Sequence, residues 1–214
     1  KGARVSFFDI TDDDSIHYRH ALLVKPVRLE NGTPSFEPIH SHAGGIVWYQ
    51  NYIYVAQTGV GLRVFDLNQI IQVHTGGDED FLEIDDTGKY RAYNYKYIIP
   101  EVNRYRRCDT CCCARFSFVG MDRTDLSLVT GEYTKEDDDG RIVKWWLDPD
   151  TGKLYDHNDD SLVTPYAAYF HGLRGVQGAV SYQGRYWLSS NYEEGGSIHT
   201  GYLYTAKPDE DLVG

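Results

Sequence analysis

The stretch HSHAGGIVWYQNYIYVAQTGVGLRVFDL, residues 40–67, spells three short strands in succession. Gly45 to Gln50 runs into a reversal at Gln50-Asn51, Tyr52 to Ala56 returns, and Thr58-Gly59-Val60-Gly61 leads into a third strand from Leu62 to Leu67. Aromatic and β-branched residues fill the runs while Gly, Asn and Asp sit at the reversals, the usage expected of antiparallel strands joined by tight turns. The pattern returns at residues 178–189, GAVSYQGRYWLS. With Gly45 set on Gly178, Val47, Tyr49 and Gln50 fall on Val180, Tyr182 and Gln183. A meander that recurs within one chain marks a radially repeated sheet, so the sequence predicts an all-β fold, a β-propeller of four-stranded antiparallel blades without α-helix.

Outward from this centre, Ala3–Ile10 and His20–Val27 read as strands, the second at an edge because Pro26 has no N–H to give a ladder. Ile70–His74 is expected to complete the central blade as its fourth strand. Arg115–Asp122, Asp125–Tyr133 and Gly140–Asp148 form a second meander, and Pro149–Gly152 is a turn. One propeller domain is expected over residues 1–214, with a partial blade at 1–39 and blades at 40–108, 114–170 and 175–206. Inner strands starting near 45, 117 and 178 stand further apart than the ~40–50 residues of compact repeats, so the blades carry long loops. About three and a half blades are fewer than a closed ring needs. Either the first and last strands close one small ring, or the chain is a portion of a larger propeller.

The formal charge is −11, and the acids come in runs such as Asp12-Asp13-Asp14 and Glu136 to Asp139. Such a surface repels phosphate backbones and anionic membranes, so nucleic acid is excluded as a partner. The runs read as solvated loop tips, with calcium the alternative occupant. No apolar run approaches the ~20 residues of a membrane span. The chain opens on Lys1 without a leader, as a processed or trimmed N-terminus would, so targeting is not legible there. Cys108, Cys111, Cys112 and Cys113 are the only cysteines. Disulfides within the loop or to a second chain are expected of them, with zinc or free thiols as alternatives. Asn31-Gly32-Thr33 is a glycosylation sequon, and with the cysteines it points to an extracellular protein.

At HAGGIVWYQNYIYVAQTGVGLRVFDL the chain resembles a group of secreted β-propeller proteins of bacteria and fungi that carry no settled activity, and Tyr18-Arg19-His20 and Tyr95-Lys96-Tyr97 fit the same likeness. Gln57 stands where that pattern has Asp. A fainter similarity is to propeller-type ulvan lyases, which cut uronic-acid polysaccharides with His, Tyr and Arg. His20 precedes His40 by 20 residues and His42 by 22, and the resemblance implies catalytic roles for His20, His42, Tyr97 and Arg107. Elimination from a uronate needs a cation to neutralise the carboxylate, a base for the C5 proton and an acid for the leaving oxygen.

His40, His171, Arg174 and Trp48 are the candidate binding residues. His42 and His171 equally suit the task of bonding a neighbouring blade's backbone. No nucleophile motif or complete metal-ligand set is spelled out. The leading expectation is an extracellular propeller that binds a polysaccharide or protein partner and assembles with copies of itself. A polysaccharide lyase is the alternative, and a metal- or cofactor-dependent oxidase or isomerase the third class.

Overall fold

The computed structural model describes residues 2–12, 14–78, 80–106, 114–155, 163–191 and 201–208. It is all-β, 54% strand and 2% helix, with curled sheets. Strands β1 (Arg4–Asp9), β2 (His17–Arg28) and β3 (Pro34–Pro38) open the chain. β4 (Ile46–Tyr49), β5 (Tyr52–Gln57) and β6 (Gly61–Asp66) are the three strands of the central stretch. β7 (Ile71–Gln72), β8 (Leu82–Ile84), β9 (Tyr90–Ala92) and β10 (Tyr97–Arg106) follow. β11 (Phe118–Asp122), β12 (Ser127–Gly131), β13 (Arg141–Trp146) and β14 (Ala167–Phe170) come next, then β15 (Val176–Tyr182), β16 (Arg185–Ser190) and β17 (Tyr202–Ala206). Two compact units result, Lys1–His42 with Phe65–Asn103, and Ala43–Val64 with Arg104–Gly214.

In the first unit β2 is the hub. β1 pairs with its first half and β3 with its second, both antiparallel, across the Asn31-Gly32 turn in the latter case. Gly32 takes a left-handed φ of 81° there, which glycine adopts without steric penalty. β10 adds in parallel, with Tyr97 opposite Ala21 and Pro100 opposite Val24. Ala21 to Val24 are buried at four consecutive positions, as a strand covered on both faces requires. Leu22, Val24, Phe36, Val73, Ala92 and Ile98 form the core.

The second unit holds three meanders. In the first, β4, β5 and β6 lie in order with the end of β10 beside β6; a Cβ on Gly61 would stand 2.0 Å from the Tyr105 carbonyl oxygen. The fourth strand expected at Ile70–His74 is thus corrected: β7 pairs with Tyr97 and Ile98 of β10 instead. The chain leaves the β6 direction at Asp66, whose side chain caps the 3₁₀ turn Leu67–Gln69 by accepting the Asn68 N–H. The other two meanders share a seven-stranded sheet ordered β14-β13-β12-β11-β15-β16-β17.

The first strands of the three meanders, β4, β11 and β15, run side by side. β11 meets β15 in parallel at Asp122 and Ser181. A Cβ on Gly44 would stand 1.8 Å from the Ser117 oxygen, and one on Gly120 2.1 Å from the Ala179 oxygen. Only glycine permits backbones so close.

The internal repeat extends to the turns. Gln50 and Gln183 both adopt left-handed φ, 49° and 50°, and each amide reaches the hydroxyl of the preceding Tyr, at 3.5 and 3.3 Å. The first two meanders are tied by the Tyr54 hydroxyl donating to the Gly152 carbonyl, and by the Gln50 amide donating to that of Pro149, each at 2.6 Å. Beneath these bonds Tyr54, Leu62, Phe116, Leu128 and Trp145 pack into one core.

Candidate functional site

Antiparallel register sets Ser6 opposite His20, Phe7 opposite Arg19 and Phe8 opposite Tyr18. Parallel register then brings Tyr97 beside Ala21, next along the chain from His20. Between β9 and β10 the chain reverses through Tyr93 and Asn94, both left-handed at φ 50° and 65°. The Tyr95 N–H closes this turn on the Ala92 carbonyl at 2.7 Å, and the Asn94 side chain accepts the Gly76 N–H at 2.8 Å. Left-handed backbone at non-glycine residues is costly and holds only where neighbours fix it.

These elements border an open, shallow pocket of ≈ 530 Å³ in the first unit. Among the described residues its wall carries Arg4, Arg19, Lys96 and His20 and no carboxylate. Four tyrosines, Tyr18, Tyr93, Tyr95 and Tyr97, supply the remaining surface together with Asn94. Arg4 donates to the Tyr95 hydroxyl at 3.3 Å, and the Lys96 ammonium lies 5.5 Å from the Tyr97 ring centre. The Arg19 guanidinium donates to the Tyr18 carbonyl at 2.7 Å. His20 Nδ1 is engaged by the Ser6 hydroxyl at 2.8 Å, and its ring lies 5.2 Å from that of Tyr18. On a chain of charge −11, a pocket whose charged side chains are all basic is a local reversal of sign, and it attracts an anion. The tyrosine faces and hydroxyls add stacking area and hydrogen bonding.

Two of the residues singled out from sequence, His20 and Tyr97, therefore share one wall. His40 and His42 lie exposed in the connection before β4, outside the pocket lining. Arg107 and Cys108, Cys111, Cys112 and Cys113 fall outside the described residues. Trp48 is 57% exposed on β4, its indole N–H donated to the Gln50 carbonyl at 2.7 Å. Arg174 is half-buried, and its carbonyl accepts the Ser190 hydroxyl at 2.6 Å. Asn31 is exposed in its turn, with its side-chain oxygen accepting the Thr33 N–H.

His171 is buried and serves the backbone. Nε2 meets the Glu132 carbonyl at 3.1 Å, and Nδ1 accepts the Leu173 N–H at 3.2 Å. Accepting at Nδ1 places the ring hydrogen on Nε2. Burial pushes the His171 pKa below its ordinary value, against the smaller opposing pull of Glu132. Among the described residues no cluster of three or more His, Cys, Asp or Glu could hold a metal ion.

A second concentration of charge lies in the other unit, with Asp122 and Lys144 buried and Asp125 at the surface. The Lys144 ammonium donates to Asp122 at 2.9 Å and to Asp125 at 2.6 Å. Asp122 also accepts from the Ser181 hydroxyl and the Thr124 N–H. Burial alone would raise the Asp122 pKa, but these donors outweigh it and bring the carboxyl to about 2. Burial likewise opposes charge on Lys144, and the Asp125, Tyr166 and Asp122 contacts overcome it and raise its pKa. Every member is paired, and the cluster ties β11, β12 and β13 to β15.

Sequence reasoning missed Arg4, Arg19 and Lys96 as site residues. The available signal was the alternation of aromatic and basic residues in Tyr18-Arg19-His20 and Tyr95-Lys96-Tyr97, since both triplets line the pocket. Arg4 had no such signal, because only strand pairing brings it there. Fold and site together define an all-β protein of curled, mainly antiparallel sheets with a basic, tyrosine-lined pocket. The chain matches no protein-family model, no curated protein and no solved structure.

Proposed function

We propose that this chain is an extracellular binding module of β-propeller type whose ligand is an acidic saccharide. The pocket carries the reading: among the described residues it is lined by three cationic residues, a histidine and four tyrosines, and by no acid. Guanidinium and ammonium groups pair with a sugar carboxylate, tyrosine rings cover the C–H face of a pyranose, and hydroxyls meet its ring substituents. The propeller element of the proposal is supported by the three adjacent first strands β4, β11 and β15, each opening an antiparallel meander. Self-association is part of it, through strand addition at the outer strands β14 and β17, which end the seven-stranded sheet and expose Phe170 and Leu203.

His20 and Tyr97 on one wall favour a second reading, a lyase acting on a uronic-acid polysaccharide. Arg19 or Arg4 would neutralise the carboxylate, and His20 or Tyr97 would take the C5 proton. The electron pair from C5–H then forms the C4–C5 double bond, the C4–O bond breaks, and the leaving oxygen accepts a proton. Incubation with uronic-acid polymers, followed by ultraviolet absorbance of the unsaturated product, separates the two readings. Product formation abolished in His20→Ala would establish the lyase. Ligand binding with no unsaturated product supports the binding module.

A further inference from the structure

Ser6 of β1 stands directly opposite His20 of β2 in the antiparallel register, so the two side chains share one face of the ribbon. Both residues are half-buried, and the Ser6 hydroxyl lies 2.8 Å from His20 Nδ1. His20 lines the basic pocket and Ser6 does not. The Tyr18 ring, from the next position on the same face, flanks the imidazole at 5.2 Å. A half-turn of the imidazole would set a carbon against the hydroxyl and forfeit the bond. Nδ1 is therefore the nitrogen committed to Ser6, and Nε2, with no partner among the described residues, is the one left to the pocket.

The direction of that bond decides what His20 can do. A serine hydroxyl has a single hydrogen to give, and among the described residues Ser6 meets no acceptor for it other than Nδ1. Were the ring to donate from Nδ1 instead, the hydroxyl hydrogen would be left without a protein partner at a half-buried position, which is the costlier arrangement. With Ser6 as donor, the neutral ring carries its hydrogen on Nε2, as a further donor on the wall that holds Arg4, Arg19 and Lys96.

We infer that Ser6 is a positioning residue: its hydroxyl donates to Nδ1, holds the neutral His20 ring in the Nε2–H form, and so gives the pocket a hydrogen-bond donor in place of a base. What Nε2–H meets rests on the acidic-saccharide reading of the pocket, where it serves a carboxylate or hydroxyl oxygen of the sugar beside the cationic groups. The same form lacks the Nε2 lone pair that would take a C5 proton, so a lyase at this wall would draw its base from Tyr97.

The test is ring-nitrogen NMR of the full chain, isotope-labelled at histidine and free of ligand, at about two pH units above the ordinary histidine value of ~6.5. The native chain is expected to show His20 with a bare Nδ1 and a hydrogen on Nε2. Ser6→Thr, which keeps the hydroxyl, should retain that form, and Ser6→Ala should move both ring nitrogens toward the averaged values of a freely exchanging imidazole. A native ring with its hydrogen on Nδ1, or ring nitrogens unchanged in Ser6→Ala, overturns the inference. Trigalacturonate is then titrated into each chain and followed at the Tyr97 amide. Affinity is expected to fall at least about threefold in Ser6→Ala and to recover in Ser6→Thr; equal affinity in all three overturns the donor role of Nε2. A ring form that depends on Ser6, with a Tyr97 amide that moves in no chain, supports the Ser6 assignment and overturns the saccharide reading alone.

Discussion

Lys144 holds an ammonium group in the interior, against Asp122 and Asp125, and its removal strands a buried carboxylate. Lys144→Met is expected to lower unfolding stability by about 3–5 kcal/mol, the usual cost of breaking a buried ion pair from one side, read from urea unfolding midpoints. A change below about 1 kcal/mol would show that the cluster is hydrated or unpaired in solution. Asp122, brought to about 2 in the fold, binds its proton less readily there than in the unfolded chain, whose value is ~3.9. Its contribution is therefore complete above that unfolded value and is lost as pH falls through about 2. His171 titrates in a separate window, with the same sense of pH dependence. Its folded pKa is depressed, so the unfolded chain protonates first and stability declines as pH drops below the ordinary ~6.5. Nitrogen chemical shifts of His171 are expected to report a neutral ring protonated at Nε2 at pH values where an ordinary histidine is half-charged; an imidazolium there would refute the backbone-tie role.

At the scale of elements, the close approach of first strands makes a paired glycine test. Gly120→Ala places its methyl 2.1 Å from the Ala179 carbonyl oxygen, a backbone atom that cannot rotate away, whereas Gly178→Ala meets only the Ser189 hydroxyl at 3.4 Å. The first is expected to cost at least about 3 kcal/mol and the second under about 1 kcal/mol. Equal effects on thermal midpoints would mean that β11 and β15 are not held side by side. The strands of residues 45–67 and the turn shared by Gln50 and Gln183 were legible because their signals are local: alternation, side-chain branching and turn residues. The strand that completes the first meander was not legible. β10 lies some forty residues further on, and no local pattern records which sheet neighbour it takes. The site divides in the same way. His20 and Tyr97 could be picked by residue type, but Arg4 and Lys96 join them only through the β1–β2 and β2–β10 registers. His40 and His42 had a suitable spacing from His20, and spacing along a connection does not fix placement in space.

On the scale of the whole molecule, charge sets the recognition problem. A field of −11 slows the approach of a polyanion, while on the proposed reading the basic pocket would attract its sugars at short range. Added salt is therefore expected to affect association with a uronic-acid polymer through two opposing terms, and dissociation through the pocket contacts alone, which salt weakens. Surface-plasmon measurements at low and high salt check this. A dissociation rate that does not rise with salt would argue against ion pairing in the pocket. The most direct measurement is residue-resolved titration with trigalacturonate and with its neutral counterpart, trigalactose, read at the amides of Arg19, His20, Lys96 and Tyr97. The acidic sugar should move these amides saturably, the neutral one should leave them unmoved, and Lys96→Glu should weaken the response at least about tenfold, or about 1.4 kcal/mol. Equal responses to both sugars, or an affinity indifferent to Lys96→Glu, would contradict an acidic-saccharide pocket.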